Sequence, residues 1–295
     1  MKKNKRLKNA QAHTIDSGYK YYLINSVTKI LTFGMLLYLG IYYYMDHYFS
    51  QGNRIDFLFG KPDVFMDFFN VNYFINDLDP YGKVVSYPPF ATFIAYPFSA
   101  FFDYINLGSV VIRESVGGMS SFILFVLLFY SIFFVQIYKN IKGQGKFTDL
   151  YVLSVIAASF PMLFLLDRGN YLIITAIAIY FFLYNYQKNK NNYVIFLSIA
   201  IALKIYPVIF IFLLLFDKKY KDVLRVIYIT GVLSTFPLLF YKGTVIDNIK
   251  NFLRYLLEFS QGYESEIVAN ANSISLISLL KLPLMLFNNG TVPFD

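Results

Sequence analysis

Long stretches almost free of charge limit this chain more than any other feature. Apolar segments fall at about residues 27–45, 88–107, 119–138, 149–166, 170–186, 193–216, 226–241 and 273–287. Several run for roughly 17 to 24 residues with one charge at most, the length that spans a hydrocarbon core of about 30 Å. Hydrophobic residues make up 57% of the 295 and charged ones only 15%, against about 25% charged in a soluble domain. Polar surface is too scarce to dissolve such a chain. The expected architecture is all-α, a polytopic helical membrane protein with about eight transmembrane or re-entrant segments, because helices satisfy their own backbone in lipid.

The first eight residues hold five cations, and bulky "YYYMDHYF" follows the first apolar helix. A cleaved signal needs small residues there. Residues 1–26 are therefore expected to be a cytoplasmic basic tail, with 27–295 forming a single transmembrane domain. The net charge of +8 is scattered over short loops, as the positive-inside bias demands, and gives no continuous patch for nucleic acid. The sequence has no cysteine and two histidines, His13 and His47. Thiol chemistry, disulfides and histidine-based metal clusters are thereby excluded.

Two connections are long. Residues 46–87 form a first outer loop, and 242–272 a second. Both are rich in Phe, Tyr, Leu and Ile, unlike disordered segments. A helix started at Pro62, which suits a first-turn position, would place Asp63, Asp67 and Asn70 on one face. Phe65, Phe68, Asn72 and Ile75 would share a mostly apolar stripe. In the second loop, Ile246, Ile249, Leu253 and Leu256 oppose Asp247, Lys250, Arg254 and Glu258. Both helices are expected to lie in the membrane surface. Ordinary crossings are expected for 88–107 and 193–216, at the expense of leaving the basic loop 138–146 outside. The alternative folds 88–107 back, returns that loop and Lys188/Lys190 to the cytoplasm, and requires 193–216 to double back at Lys204–Pro207.

No Walker loop, G-x-S-x-G elbow or H-E-x-x-H occurs. The informative groups are polar ones where a membrane makes them costly. Asp67, on an interfacial helix just outside the bilayer, is a candidate general base, set against the plainer role of a solvated loop acid. Lys204 is the single charge within 193–216; such a cation faces a cavity or an anion, or snorkels to an interface. Arg168 stands at a helix junction beside Asp167, where a local ion pair competes with function. In "VVSYPPFATFIAYPF", Pro88 and Pro89 suit a helix start, Tyr87 an interface and Pro97 a kink.

Taken in order, "DFFNVNYFINDLDPYG", "YPPFATFIAYPF", "RGNYLI", "ALKIYPVIF" and "NANSISLISLL" resemble the polyprenol-phosphate-dependent type C glycosyltransferases, most of all glycosyltransferase family 87. The likeness spans about residues 63–281. It implies transfer of a sugar, mannose by default, from a polyprenyl-phosphate donor to a glycan or glycolipid acceptor on the outer face. By that likeness Asp67 is the base, with Asp63 its rival, and Lys204 with Arg168 neutralises the donor phosphate. Asn70, Tyr81, Tyr87, Pro88, Asn170, Tyr206 and Asn272 would line the substrate cavity. No cofactor is firmly implied. A divalent cation is a possible addition, with Asp63 and Asp67 as its ligands.

The sequence departs from the family pattern in three places. Asp67 lies about one helical turn too close to Pro80-Tyr81, Arg168 replaces a small or polar residue, and Gly169 runs directly into Asn170 without the family's Gln. The chain ends after about eight apolar segments where such enzymes continue. A lipid or glycan transporter, or a non-catalytic partner of a second membrane subunit, are the rival readings.

Overall fold

The computed structural model describes residues 64–83, 85–141 and 146–269, with Lys29, Thr32, Phe33 and Leu36 in the first apolar segment. Asp63, Asn272, the basic tail and the segment at 273–287 lie outside the described residues. Everything described is helix or connection, without a strand. The helices are α1 (Met66–Ile75), α2 (Pro89–Ser99), α3 (Tyr104–Glu114), α4 (Val116–Ile141), α5 (Lys146–Ala157), α6 (Phe160–Arg168), α7 (Leu172–Gln187), α8 (Tyr193–Leu203), α9 (Ile211–Phe216), α10 (Tyr220–Thr235) and α11 (Val245–Ala269). Short 3-10 turns at Pro80–Gly82, Tyr206–Phe210 and Phe236–Leu239 link them.

Two helical stretches are long and apolar enough to cross a membrane, Val116–Ile141 and Tyr220–Leu239. A third candidate is the pair Thr148–Ala157 and Phe160–Arg168, bent by 49°, where Pro161 occupies the first turn of α6. The described residues thus offer two or three spans by length, against the six apolar segments between 88 and 241, because several of those are broken into shorter pieces.

The segment 88–107 is one of these, and the expectation that it crosses is corrected here. Pro89 starts α2, Pro97 sits in its last turns and the helix ends at Ser99. Eleven residues of helix extend only about 16 Å. The Asn76 amide then donates to the carbonyls of Ser99 and Phe102, both at 2.8 Å, binding the turn to the end of α1. From there α3 runs back along α1, broken at Gly108 with φ +76, until the Arg113 guanidinium donates to the Val64 carbonyl at 3.3 Å. The chain leaves and returns on the side of α1.

The segment 193–216 is corrected likewise. Helix α8 stops at Lys204, whose backbone is extended (φ −148, ψ 142). Pro207 follows in the first turn of the next piece, where it supplies no donor and disfavours helix before it. The chain then reverses. Tyr193 at the start of α8 bonds Asp222, and Tyr186 at the end of α7 bonds Asp217 just after α9. Both ends of 193–216 therefore lie together, and Lys204 is the tip of a hairpin whose arms each reach about 16 Å, half a hydrocarbon core.

The molecule has two distinct ends. At one, α1 to α3 form a cap over the first turns of α4 and α7. Phe68, fully buried, centres that cap, its ring against Phe98, Phe122, Phe125 and a stacked Tyr171. Each such aromatic pair contributes about 0.5–1.5 kcal/mol beyond its burial. The far end gathers the short basic turns. There Lys188 lies 4.1 Å above the Tyr184 ring, and Lys219 lies 4.1 Å from Tyr186 and 5.2 Å from Tyr193.

Candidate functional site

The cap end holds the polar side chains that a membrane would penalise most. Helix α1 begins after Phe65, which adopts a left-handed conformation at φ 62. That strain is sustained by a 2.6 Å bond from the Phe65 N–H to the Asp167 carbonyl at the end of α6. The forced turn puts Asp67 in the first turn of α1, where exposed backbone donors favour a carboxylate. Phe68, Asn72 and Ile75 are fully buried, so the expected inward stripe exists, and α1 starts at Met66 rather than at Pro62.

Opposite Asp67, α6 ends in a left-handed Gly169 (φ +64). The Gly169 N–H bonds the Leu166 carbonyl at 3.0 Å and the Asn170 N–H bonds Leu165 at 2.9 Å, the pairing that closes a helix with glycine. A Cβ here would lie 2.9 Å from the Phe68 Cβ and 3.1 Å from the Phe122 ring. Only glycine satisfies both the φ and the space. The next residue is then delivered to the acid: Asn170 Nδ2 donates to Asp67 Oδ2 at 2.7 Å. Its Oδ1 accepts from the Leu172 N–H at 2.8 Å, which fixes the amide so that the NH₂ faces Asp67. One residue on, the Tyr171 hydroxyl donates to Asn72 Oδ1 at 3.0 Å. Consecutive residues at the start of α7 thus clasp α1 twice.

The hairpin tip brings the cation. Lys204 Nζ sits 4.4 Å from the centre of the Tyr87 ring, a cation–π contact worth about 0.5–2 kcal/mol. The charge of Asp67 acts on both Lys204 and the Tyr87 phenol. Burial, with the Asp67 charge second, raises Tyr87 above the usual phenol range, so the ring stays neutral. Asp67, Asn170, Tyr87 and Lys204 come from four separate parts of the chain and meet here. Broken helix at membrane depth is tolerated where it is buried in protein or lines a cavity, which suits an extended Lys204 at such a site.

A roof holds Tyr87 in place. Tyr81 is fully buried and its hydroxyl donates to the Tyr87 carbonyl at 2.8 Å. Its ring packs against Tyr241 and Phe252 at 6.0 and 5.7 Å. Tyr241 donates to the Pro89 carbonyl at 2.7 Å and meets Thr92 Oγ1 at 2.8 Å. Helix α11 closes over these groups, its Asn251 amide donating to the Tyr81 carbonyl at 3.2 Å. Beside it, Asp77 pairs with Lys83 at 2.6 Å and Lys242 at 3.4 Å. Burial works against the charged Asp77, but the Lys83 bond and both cations outweigh it and hold the carboxyl below its usual range.

The other expected residues are distributed unevenly. Asn70 follows Asp67 by one turn of α1 and is half-buried, and Pro88 is buried immediately before α2. Arg168 lies 3.7 Å from Asp167 and stacks on the Phe164 ring at 5.5 Å; the local pair foreseen as the plainer role is present. Tyr206 is 54% exposed at the outer side of the hairpin tip. Asp63 and Asn272 lie outside the described residues, which hold no group of three or more His, Asp or Glu suited to a metal. Sequence reasoning missed the roof. Tyr241 and Asn251 carry no motif, and Tyr171 gave no signal beyond adjacency to Asn170.

A family model described as glycosyltransferase family 87 matches residues 86–292. That match begins one residue before Tyr87 and includes Asn170 and Lys204, while Asp67 precedes it. No curated protein and no solved structure matches the chain. With well over half its length matched, and with apolar helices of membrane-spanning length, the chain belongs to glycosyltransferase family 87.

Proposed function

We propose that this glycosyltransferase moves a sugar from a polyprenyl-phosphate donor to a hydroxyl of a glycan or glycolipid acceptor, with Asp67 as general base. The observation that carries the reading is the Asn170 amide on Asp67 at 2.7 Å, with the Lys204 ammonium held 4.4 Å from the Tyr87 ring at the same end of the molecule. In the reaction the acceptor oxygen bonds to the anomeric carbon as the carbon–oxygen bond to the lipid phosphate breaks, inverting that centre. Asp67 takes the hydroxyl proton, and the polyprenyl phosphate leaves with both bonding electrons. Asn170 presents the carboxylate in a fixed orientation, and Lys204 balances charge on the departing phosphate, for which a cation is the natural partner. Arg168, with Asp167 beside it, supplies a second positive group near the same helix end.

The site end faces outward in this reading. The far end carries Lys139, Lys188, Lys190, Lys218, Lys219 and Lys221 in or beside short turns, and cytoplasmic loops concentrate such cations. The basic tail before the first apolar segment falls on the same side if that segment crosses once. Folding back 88–107 and 193–216 removes the conflict between crossing number and charge bias.

The test is transfer by the purified chain from a polyprenyl-phosphate sugar, mannose first, read as release of polyprenyl phosphate. Asp67→Asn is expected to abolish release while expression, membrane insertion and thermal unfolding stay as in the parent. Full release by that variant would remove Asp67 as base and turn attention to Asp63.

A further inference from the structure

Asn72 is the polar member of the inward stripe of α1, and no step of the transfer uses it. It is fully buried, as is Tyr104 at the start of α3, and Tyr171 before the start of α7 is 4% exposed. The Tyr171 hydroxyl donates to Asn72 Oδ1 at 3.0 Å, and the Tyr104 hydroxyl lies beside the same amide. Yet Asn72 Nδ2 and the Tyr104 oxygen have no hydrogen-bond partner among the described residues. Buried polar atoms left in this state are costly, whereas apolar groups of the same shape in all the positions can be neutral or stabilising. A set serving stability alone would be apolar. These three polar groups point instead to a task of placement.

What they place is Tyr171. Its ring stacks on Phe68 at 5.7 Å with the planes 6° apart, and lies 4.8 Å from Phe125. Stacking fixes the plane of a ring but lets it slide within that plane, and the hydroxyl bond removes that freedom. Tyr171 directly follows Asn170, whose Nδ2 reaches Asp67 and whose Oδ1 accepts from the Leu172 N–H. A slide of Tyr171 therefore moves the amide bonded to Asp67. One turn beyond Asn72, Asn76 holds the Ser99 and Phe102 carbonyls, so the part of α1 that receives Tyr171 is itself anchored. We propose that Asn72 is a positioning residue for the transfer reaction. Through the Tyr171 hydroxyl it sets the start of α7, so that the Asn170 amide meets Asp67 in the orientation used for catalysis. The proposal rests on the reading of Asp67 as general base.

The detergent-solubilised full chain is compared with a variant made apolar at all three positions, Asn72→Leu with Tyr104→Phe and Tyr171→Phe. Thermal unfolding at or above that of the parent is expected, because both partners of the bond are removed together. Release of polyprenyl phosphate should nevertheless fall about tenfold in kcat with donor KM unchanged, since a misplaced base slows turnover without weakening binding. In an Asn170→Ala background the same three changes should cost nothing further, the connection to Asp67 being already cut. A parent-like kcat, or the same loss again in the Asn170→Ala background, would overturn the proposal and leave Asn72 a packing residue. Should the triple variant unfold, Tyr171→Phe alone keeps the ring and gives the same readings. A second measurement needs no substrate. With isotope-labelled asparagine, the Asn170 side-chain amide signal is identified by its loss in Asn170→Ala. In Tyr171→Phe it should move toward its position in Asp67→Ala; an unmoved signal would also overturn the proposal. A parent that releases no polyprenyl phosphate would count against the transfer reading, while the amide signal still decides whether Asn72 places Asn170 on Asp67.

Discussion

Single side chains at this site act through neighbours that fix their direction. Asp67 accepts from the Asn170 amide at 2.7 Å, and that amide is itself fixed by a backbone donor. Lys204 lies over the Tyr87 ring at 4.4 Å. These contacts separate two roles that simple deletion would blur. Lys204→Met should lower transfer by about a hundredfold or more, the scale of losing one group aimed at developing charge. Tyr87→Phe keeps the ring face and should retain most activity. Tyr87→Leu removes the face and should lower activity several-fold to about thirtyfold, following the strength of a cation–π contact. Comparing the three rates for release of polyprenyl phosphate checks the order; equal loss in the Phe and Leu variants would show that the hydroxyl, not the ring, matters.

At the scale of elements, the site depends on how helices end. The α6–α7 junction works because Gly169 accepts a left-handed backbone within 2.9 Å of the Phe68 Cβ. Gly169→Ala introduces both a φ that an L side chain resists and a collision with the cap. It is expected to destabilise the protein by about 1–3 kcal/mol and to reduce transfer more than tenfold, because Asn170 moves with the junction. Thermal unfolding and turnover measured on the same sample test this. Unchanged values in both would mean that α1 and α6 are free to separate. The same logic governs α8. Its interruption at Lys204 exposes backbone that an unbroken helix would satisfy, and places a charge where two half-length arms meet.

For the whole molecule, the decisive fact is that residues distant in sequence sort to two ends. Lys242 donates its N–H to the Leu78 carbonyl at 2.8 Å, so α11 and the first loop share one end. Tyr186, Tyr193 and Asp217 to Asp222 share the other. Helix α11 shows three faces, not the two its charge pattern suggests. Asn248 and Tyr255 face the protein, Ile246, Leu253 and Leu257 are exposed, and charged residues occupy the third side. In the cysteine-free chain, Lys250→Cys should react with an impermeant thiol reagent added to intact cells, and Lys190→Cys only after lysis. Labelling of both from outside would break the two-ended arrangement and restore ordinary crossings.

Sequence by itself determined the solvent, the helical class and the residues worth watching. Scarcity of charge leaves a chain little choice but the membrane, and prolines, glycines and isolated charges mark where helices stop. Asp67 and Lys204 were legible as charges that are costly in their setting, and Asn170 only through the likeness of its segment to the family pattern. Their meeting was not, since hydropathy measures how apolar a segment is and not whether it returns. A segment of twenty apolar residues looks the same whether it crosses or bends at a proline. Only tertiary structure decided that 88–107 and 193–216 turn back and that Tyr81, Tyr241 and Asn251 roof the site. The turns rest on contacts between neighbouring elements, such as the Asn76 amide on the Ser99 carbonyl, and the roof on elements far apart in the chain, such as the Asn251 amide on the Tyr81 carbonyl; neither leaves a local pattern.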